Sequence, residues 1–336
     1  MYANKPLGKM LDRFLQDNRL KTIIAQLCGY CGLSPNKLAF AYFSYPWHDY
    51  LYNGGHYPKG GSQAISNAFA EAIKENNGKI ILNKEVEKIT IKGGIAIGVM
   101  TKDKEEFFAD TIISNIDANK TFFSLITEEY LPKAFTKRLN KMEPSISALQ
   151  IYLGLNVDLK DKGILDYEIF YNPNYDFESQ FRNFIEHDNM GNISYVLALY
   201  SNLQPDIAPI GKSLIGITTL SGYDFWRQLS KEKYKQAKQQ SADILIKRAE
   251  EIIPNLSSYI EEISISTPLT MERYTGNCNG ALYGFSQIVS QSGINRLNAK
   301  TPIKNIYLAS AWTLPGGGIA GVMLAGRQTA EQILNR

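Results

Sequence analysis

Apolar residues recur at three- and four-residue intervals at Leu7, Met10, Leu11, Phe14 and Leu15, the spacing of one helical face. Ile23, Ile24 and Leu27 predict a second helix after Asn18, so the chain opens in helices. From Phe40 to Tyr57 the pattern turns aromatic and irregular, which predicts extended or loop structure lining something apolar. Gly60 and Gly61 then precede Ser62, a predicted N-cap, and Ala64, Ile65, Ala68, Phe69, Ala72 and Ile73 form a helical stripe that Gly78 would end.

Lys79–Leu82, Val86–Ile91 and Ile95–Met100 read as strands, the last two joined by Gly93-Gly94, a two-residue hairpin signal. Phe107–Asn115 adds another. Beyond Thr121, β runs at Ala148–Leu155, Ser194–Leu199 and Leu214–Leu220 mix with helices, among them a long charged one over Lys231–Ile252 that Pro254 stops. This predicts an α+β domain inserted between two pieces of another. Asn305–Ala311 reads as a strand, Pro315 to Gly318 as a tight turn, and Ile319, Val322, Met323, Gly326, Ala330 and Ile333 as a closing helix.

Composition narrows the chemistry only in part. The 336 residues are 44% hydrophobic, enough for a substantial core. A net charge of +3 gives no electrostatic footprint for nucleic acid. Three cysteines fit a reducing compartment, and charges interrupt any signal core near the start, so a cytoplasmic protein is expected, with peripheral membrane contact left open. Cys28 and Cys31 form a C-x-x-C in the wrong setting for a redox or zinc site, which makes packing of small thiols the default. His48, His56 and His187 are accompanied by no nucleophile elbow and no phosphate-binding G-x-x-x-x-G-K loop. His48 and His56 are either ordinary loop histidines or face a substrate.

Gly316 to Gly321 formally match G-x-G-x-x-G between a strand and a helix. Too little chain follows for the second strand and ribose-binding acid that such a fingerprint requires. Its physical use survives, because glycines allow a ligand close to backbone N–H groups and a helix N-terminus favours negative charge. The bland alternative is a tight connection and nothing more.

YLASAWTLPGGGIAGVMLAGRQTA, TPLTMERYTGNCNGALYGF and YPKGGSQAISNAFAEAIKENNGKI resemble, in order and spacing, three motifs of the phytoene desaturase, carotenoid isomerase and retinol saturase group of flavoproteins. NKEVEKITIKGGIAIGVMTKDKEEFFADTIISNID is similar to the group's strand, meander and return strand. The resemblance implies an α/β fold: the C-terminal part of a split, Rossmann-like FAD/NAD(P)-binding domain (61–120 and 300–336) with an inserted α+β substrate domain (121–299) and a helical, aromatic part of that domain (1–60). It implies FAD as cofactor, with Val86, Ser310, Ala311, Gly316, Gly317, Gly318, Ile319 and Val322 at the cofactor.

Tyr57, Glu272, Arg273 and Tyr274 would stand near substrate. For the last three the alternative is an internal ion pair with a packed tyrosine. The substrate would be an apolar isoprenoid, carotenoid or retinoid-like molecule undergoing desaturation, saturation or isomerisation. Two departures stand out. Ala311 occupies a position where related amine oxidases carry an acid, and family members open with a strand and a glycine-rich phosphate turn. A truncated product, split gene or incomplete gene model is therefore expected, inactive alone or completed by a separately encoded N-terminal FAD-binding half. A non-catalytic module for hydrophobic ligands is the competing reading, and an amine-oxidising enzyme is a third.

Overall fold

The computed structural model describes Tyr2 and residues 4–335. Helix α1 (Leu7–Phe14) buries Leu7, Met10 and Leu11, as the spacing predicts, and α2 (Asn18–Ile24) follows Asp17, whose carboxylate accepts from the N–H of Arg19 at 2.8 Å. The aromatic stretch is not a loop. It forms α3 (Phe40–Asn53), in spite of Pro46 inside it. Aromatic residues are poor helix formers and proline removes a ladder bond, so packing decides the conformation here. Phe43 is 2% exposed and stacks on Trp47 with centroids 5.9 Å apart, in a cluster shared with Leu7, Leu27 and Leu38.

Helix α4 (Gly61–Glu75) begins two residues earlier than Ser62 capping would place it: Gly60, at φ 84°, takes the cap position. Its apolar stripe stays uncovered, with Phe69 52% and Ile73 43% exposed. The predicted strand at 79–82 is unpaired and exposed, because a strand needs a neighbour and no described residue supplies one. Strands β1 (Val86–Lys92) and β2 (Ile95–Thr101) form the expected hairpin, with both glycines at positive φ. The next predicted strand splits into β3 (Glu106–Phe108), which pairs β2, and β4 (Ile112–Ser114), which joins a different sheet.

The largest core rests on a five-stranded antiparallel sheet built from β5 (Ser147–Leu155), β6 (Glu168–Tyr171), β7 (Tyr195–Ala198), β8 (Ser213–Ser221) and β9 (Ile260–Ser266), in spatial order β6-β7-β8-β5-β9. Alternation gives it two different faces. Leu149, Ile151, Leu197, Ile215 and Ile217 pack beneath helix α5 (Lys231–Ala249), with Trp226 and Leu245 filling the layer. The in-register set Phe170, Val196, Thr218 and Gln150 occupies the other face, towards the N-terminal helices. Helix α6 (Pro268–Thr275) leads away from β9, and β10 (Ile306–Leu308) pairs in parallel with β4 before the chain closes in α7 (Ile319–Leu334).

Parallel strands are normally covered on both faces, yet Ile113 of this pair is 50% exposed. Stability should therefore reside in the five-stranded sheet. Ile217→Ala should cost about 2–5 kcal/mol by cavity formation, while Leu82→Ser, at a 77% exposed position, should stay within about 0.5 kcal/mol. Urea denaturation measures both, and equal losses would contradict this partition.

Candidate functional site

The strand-to-helix turn before α7 is built by side chains that reach it from elsewhere. Tyr42 of α3 donates its hydroxyl to the carbonyl of Gly317 at 3.3 Å, and Gln287 Nε2 donates to the carbonyl of Pro315 at 3.0 Å. A trans peptide points its C=O and the following N–H in opposite directions. Holding these two carbonyls inward therefore turns the N–H groups of Gly316 and Gly318 outward. None of the N–H groups from Gly316 to Gly321 donates to another described residue. The first turn of α7 has no acidic residue and no side-chain cap.

Space around the glycines is uneven. A Cβ on Gly317 would lie 2.8 Å from Cα of Tyr283, whereas one on Gly318 would meet nothing within 4 Å. Gly316 and Gly318 also sit at φ 129° and 90°, where a side chain strains the backbone. The turn is thus closed on the Tyr283 side and open on the other, where its donors face.

Beneath it lies Arg296, 1% exposed. Its Nε donates to the carbonyl of Thr313 at 2.9 Å and its Nη2 to the carbonyls of Ala311 at 2.6 Å and Tyr283 at 3.2 Å. Nη1 has no partner among the described residues, and no ion pair among them includes this arginine. Burial pulls its pKa down to about 10, and raises that of Tyr42 to about 12, so at neutral pH Arg296 is a cation and Tyr42 a neutral donor.

Tyr283 also lines a cavity of about 250 Å³ on the open face of the five-stranded sheet. Phe170, Val196, Ala198, Tyr200 and Thr218 wall it on the sheet side, and Tyr30 on the helical side. The lining is mainly apolar and aromatic, with one polar pole where Tyr30 donates to Glu168. Burial raises the phenol of Tyr200 to about 12 and that of Tyr283 higher, so both are protonated at neutral pH.

The structure gathers Ser310, Ala311, Gly316, Gly317, Gly318, Ile319 and Val322 at this turn. Ser310 is buried, and its hydroxyl accepts from the N–H of Trp312 at 3.3 Å. Ile319 and Val322 are exposed on the first turn of α7. Val86 starts β1 opposite Thr101 and packs against the core cluster that includes Leu308 and Trp312. Tyr57 lies near Gly61, Tyr152 and Tyr200, the last of which lines the cavity.

The ion pair that is the alternative reading of Glu272 and Arg273 on α6 is absent among the described residues. Glu272 accepts from Tyr223 at 2.6 Å, and Arg273 covers the ring of its neighbour Tyr274, which is 76% exposed. His48 stacks on Tyr52 at 4.4 Å. Cys28 and Cys31 are buried thiols whose ionisation burial disfavours, Cys31 being pushed up to about 12. His187 bonds Ser241 Oγ at 2.9 Å.

Tyr42, Tyr283, Gln287 and Arg296 escape reading from sequence. One signal was present: Arg296 is the only charged residue between Tyr274 and Ala299.

A family model described as flavin containing amine oxidoreductase matches residues 2–334. The chain is 28% identical over 294 residues to prolycopene isomerase 2 of an Oncidium hybrid, covering 85% of this chain and 47% of that protein. It is 25% identical over 363 residues to zebrafish all-trans-retinol 13,14-reductase, covering 100% and 58%. The chain thus spans about half the length of these curated relatives. A crystal structure of an oxidoreductase from Methanosarcina mazei superposes with a TM-score of 0.67 at 20% identity, covering 97% of this chain and 68% of that one, which establishes a shared fold.

Two measurements follow from this geometry. Gly317→Ala drives a methyl into backbone and should cost about 1–3 kcal/mol, while Gly326→Ala, with nothing within 4 Å, should gain about 0.5–1 kcal/mol in thermal melts. Burial lowers the pKa of His187 to about 4, below its unfolded value of 6.5. The unfolded chain therefore binds more protons between these values, and stability should fall as pH drops from 6.5 towards 4. His187→Phe should flatten that slope.

Proposed function

The chain belongs to the flavin-containing amine oxidoreductase family, and from that premise we propose that it holds FAD at the Pro315–Gly318 turn and acts on carbon–carbon bonds of an apolar, isoprenoid-like substrate in the neighbouring cavity. The residues fit such a cofactor. The turn presents free N–H donors from Gly316 to Gly321 on its open side and leaves room above Gly318, and a helix N-terminus and a buried guanidinium lie behind them.

The observation that carries the reading is Tyr283. Its backbone packs against Gly317 and its residue lines the cavity, so the cofactor turn and the apolar pocket are one residue apart. A bound flavin exchanges a hydride with carbon. The protein's own part is to seat the turn, to align an apolar chain along Phe170, Val196 and Ala198, and to exclude water with aromatic walls. Tyr30, Tyr200 and Tyr283 stay protonated there. Names of the isomerase and reductase relatives support the substrate class.

The uncovered stripe of α4 and the exposed Ile113 of β4 favour a second reading of how the flavin is completed. A strand-and-helix unit with a phosphate-binding turn, supplied from outside these 336 residues, would cover both and share the cofactor. Exposed Tyr45, Leu51 and Tyr52 on α3 support peripheral membrane contact. No described helix is long and apolar enough to cross a membrane.

Adding FAD to the purified chain should give a saturable shift of the flavin absorption bands, and none up to about 1 mM would sink the reading. Geranylgeraniol should quench the tyrosine fluorescence of the cavity. Ala198→Phe should weaken that binding about tenfold or more and leave flavin uptake unchanged. Equal isoprenoid affinity in the variant would place the substrate elsewhere.

A further inference from the structure

A guanidinium is almost never fully buried without a carboxylate, because the loss of hydration costs several kcal/mol or more. Arg296 is such a case: 1% exposed, bound to three carbonyls, with Nη1 unpartnered and no ion pair among the described residues. Carbonyl dipoles compensate a cation only in part. The remaining positive field lies under Gly316, whose Cβ position is 3.4 Å from Cζ of Arg296, and the first turn of α7 adds partial positive charge of the same sign.

Phosphate is one anion that would suit this field, and its charge does not change with redox state. The pyrimidine edge of a flavin is different. Uptake of two electrons and one proton, from dithionite for instance, leaves the flavin with one more negative charge. A fixed buried cation stabilises that form over the oxidised one, with no counter-ion to move.

Building on the proposed flavin site, we propose that Arg296 is a positioning residue and fixed positive charge that raises the reduction potential of flavin bound at the Pro315–Gly318 turn. Its bonds to Ala311 and Thr313 hold the last strand and the turn in one piece, and its bond to Tyr283 ties both to the cavity wall. Tyr42 and Gln287 hold the turn's carbonyls inward, and neither contributes a charge.

The test is the midpoint potential of FAD on the full chain at saturating flavin, by anaerobic dithionite titration against a reference dye, with melting of the flavin-free chain as the control for folding. Arg296→Gln should weaken the reduced form about tenfold more than the oxidised form, a fall of about 30 mV for a two-electron couple. Arg296→Lys keeps the charge and loses carbonyl contacts, so the potential should fall by less than half as much while oxidised FAD binds less tightly.

Equal weakening of both redox forms by the glutamine variant would reduce Arg296 to a structural clamp and overturn the proposal. So would a lysine variant that loses the full tenfold. If the glutamine variant does not fold, the lysine variant decides by the same criterion. An unsubstituted chain that takes up no flavin would defeat the functional reading itself, an outcome distinct from unchanged potentials in a loaded chain.

Discussion

Arg296 reaches carbonyls of Tyr283 on one segment and of Ala311 and Thr313 on another, and these three bonds join the approach segment, the end of the last strand and the glycine turn. A buried donor left unsatisfied costs about 1–3 kcal/mol and a buried charge more, so the surrounding backbone is constrained to supply acceptors. That constraint shapes the turn. Carbonyls drawn towards Arg296, Gln287 and Tyr42 leave N–H groups on the opposite side, and the absence of a Cβ at Gly317 lets Tyr283 close the gap to the cavity.

The two faces of the five-stranded sheet divide stability from chemistry. Under α5, large aliphatic side chains and Trp226 are excluded from water, and Trp226 satisfies its indole N–H on Ser221 at 2.8 Å. On the other face, Ala198 and Thr218 are small, and both line the cavity. Packing on one side holds the strands rigid enough for a pocket on the other. Polar atoms near that pocket are fewer than apolar ones, which suits a ligand recognised by shape and surface.

Much of the fold was legible as period and punctuation. The three-and-four spacing located α1, the closing helix and the apolar stripe of α4, and the Gly93-Gly94 hairpin and three strands of the large sheet, β5, β7 and β8, lie where alternation and turn residues put them, whereas β6 and β9 escape reading from the sequence. The failures share a cause. Helix α3 forms against its own propensity because Phe43 is buried and stacks on the partly buried Trp47, the 79–82 segment stays unpaired for want of a neighbour, and Phe107–Asn115 divides between two sheets. Glu272 and Arg273 have other partners, Tyr223 and Tyr274.

By itself the sequence determined the glycine turn, the helix behind it, the aromatic supply for a pocket and, through its motifs, the family. These are local or collective properties: φ freedom, periodicity and composition act over a few residues or over the whole chain. Only the tertiary structure decided that Tyr42, Gln287 and Arg296 converge beneath that turn, and that Tyr283 links it to a cavity. Tyr42 and Gly317 are 275 positions apart. A hydrogen bond over that separation leaves no trace in spacing, because only the packing of the sheet and helices between them brings the two within reach.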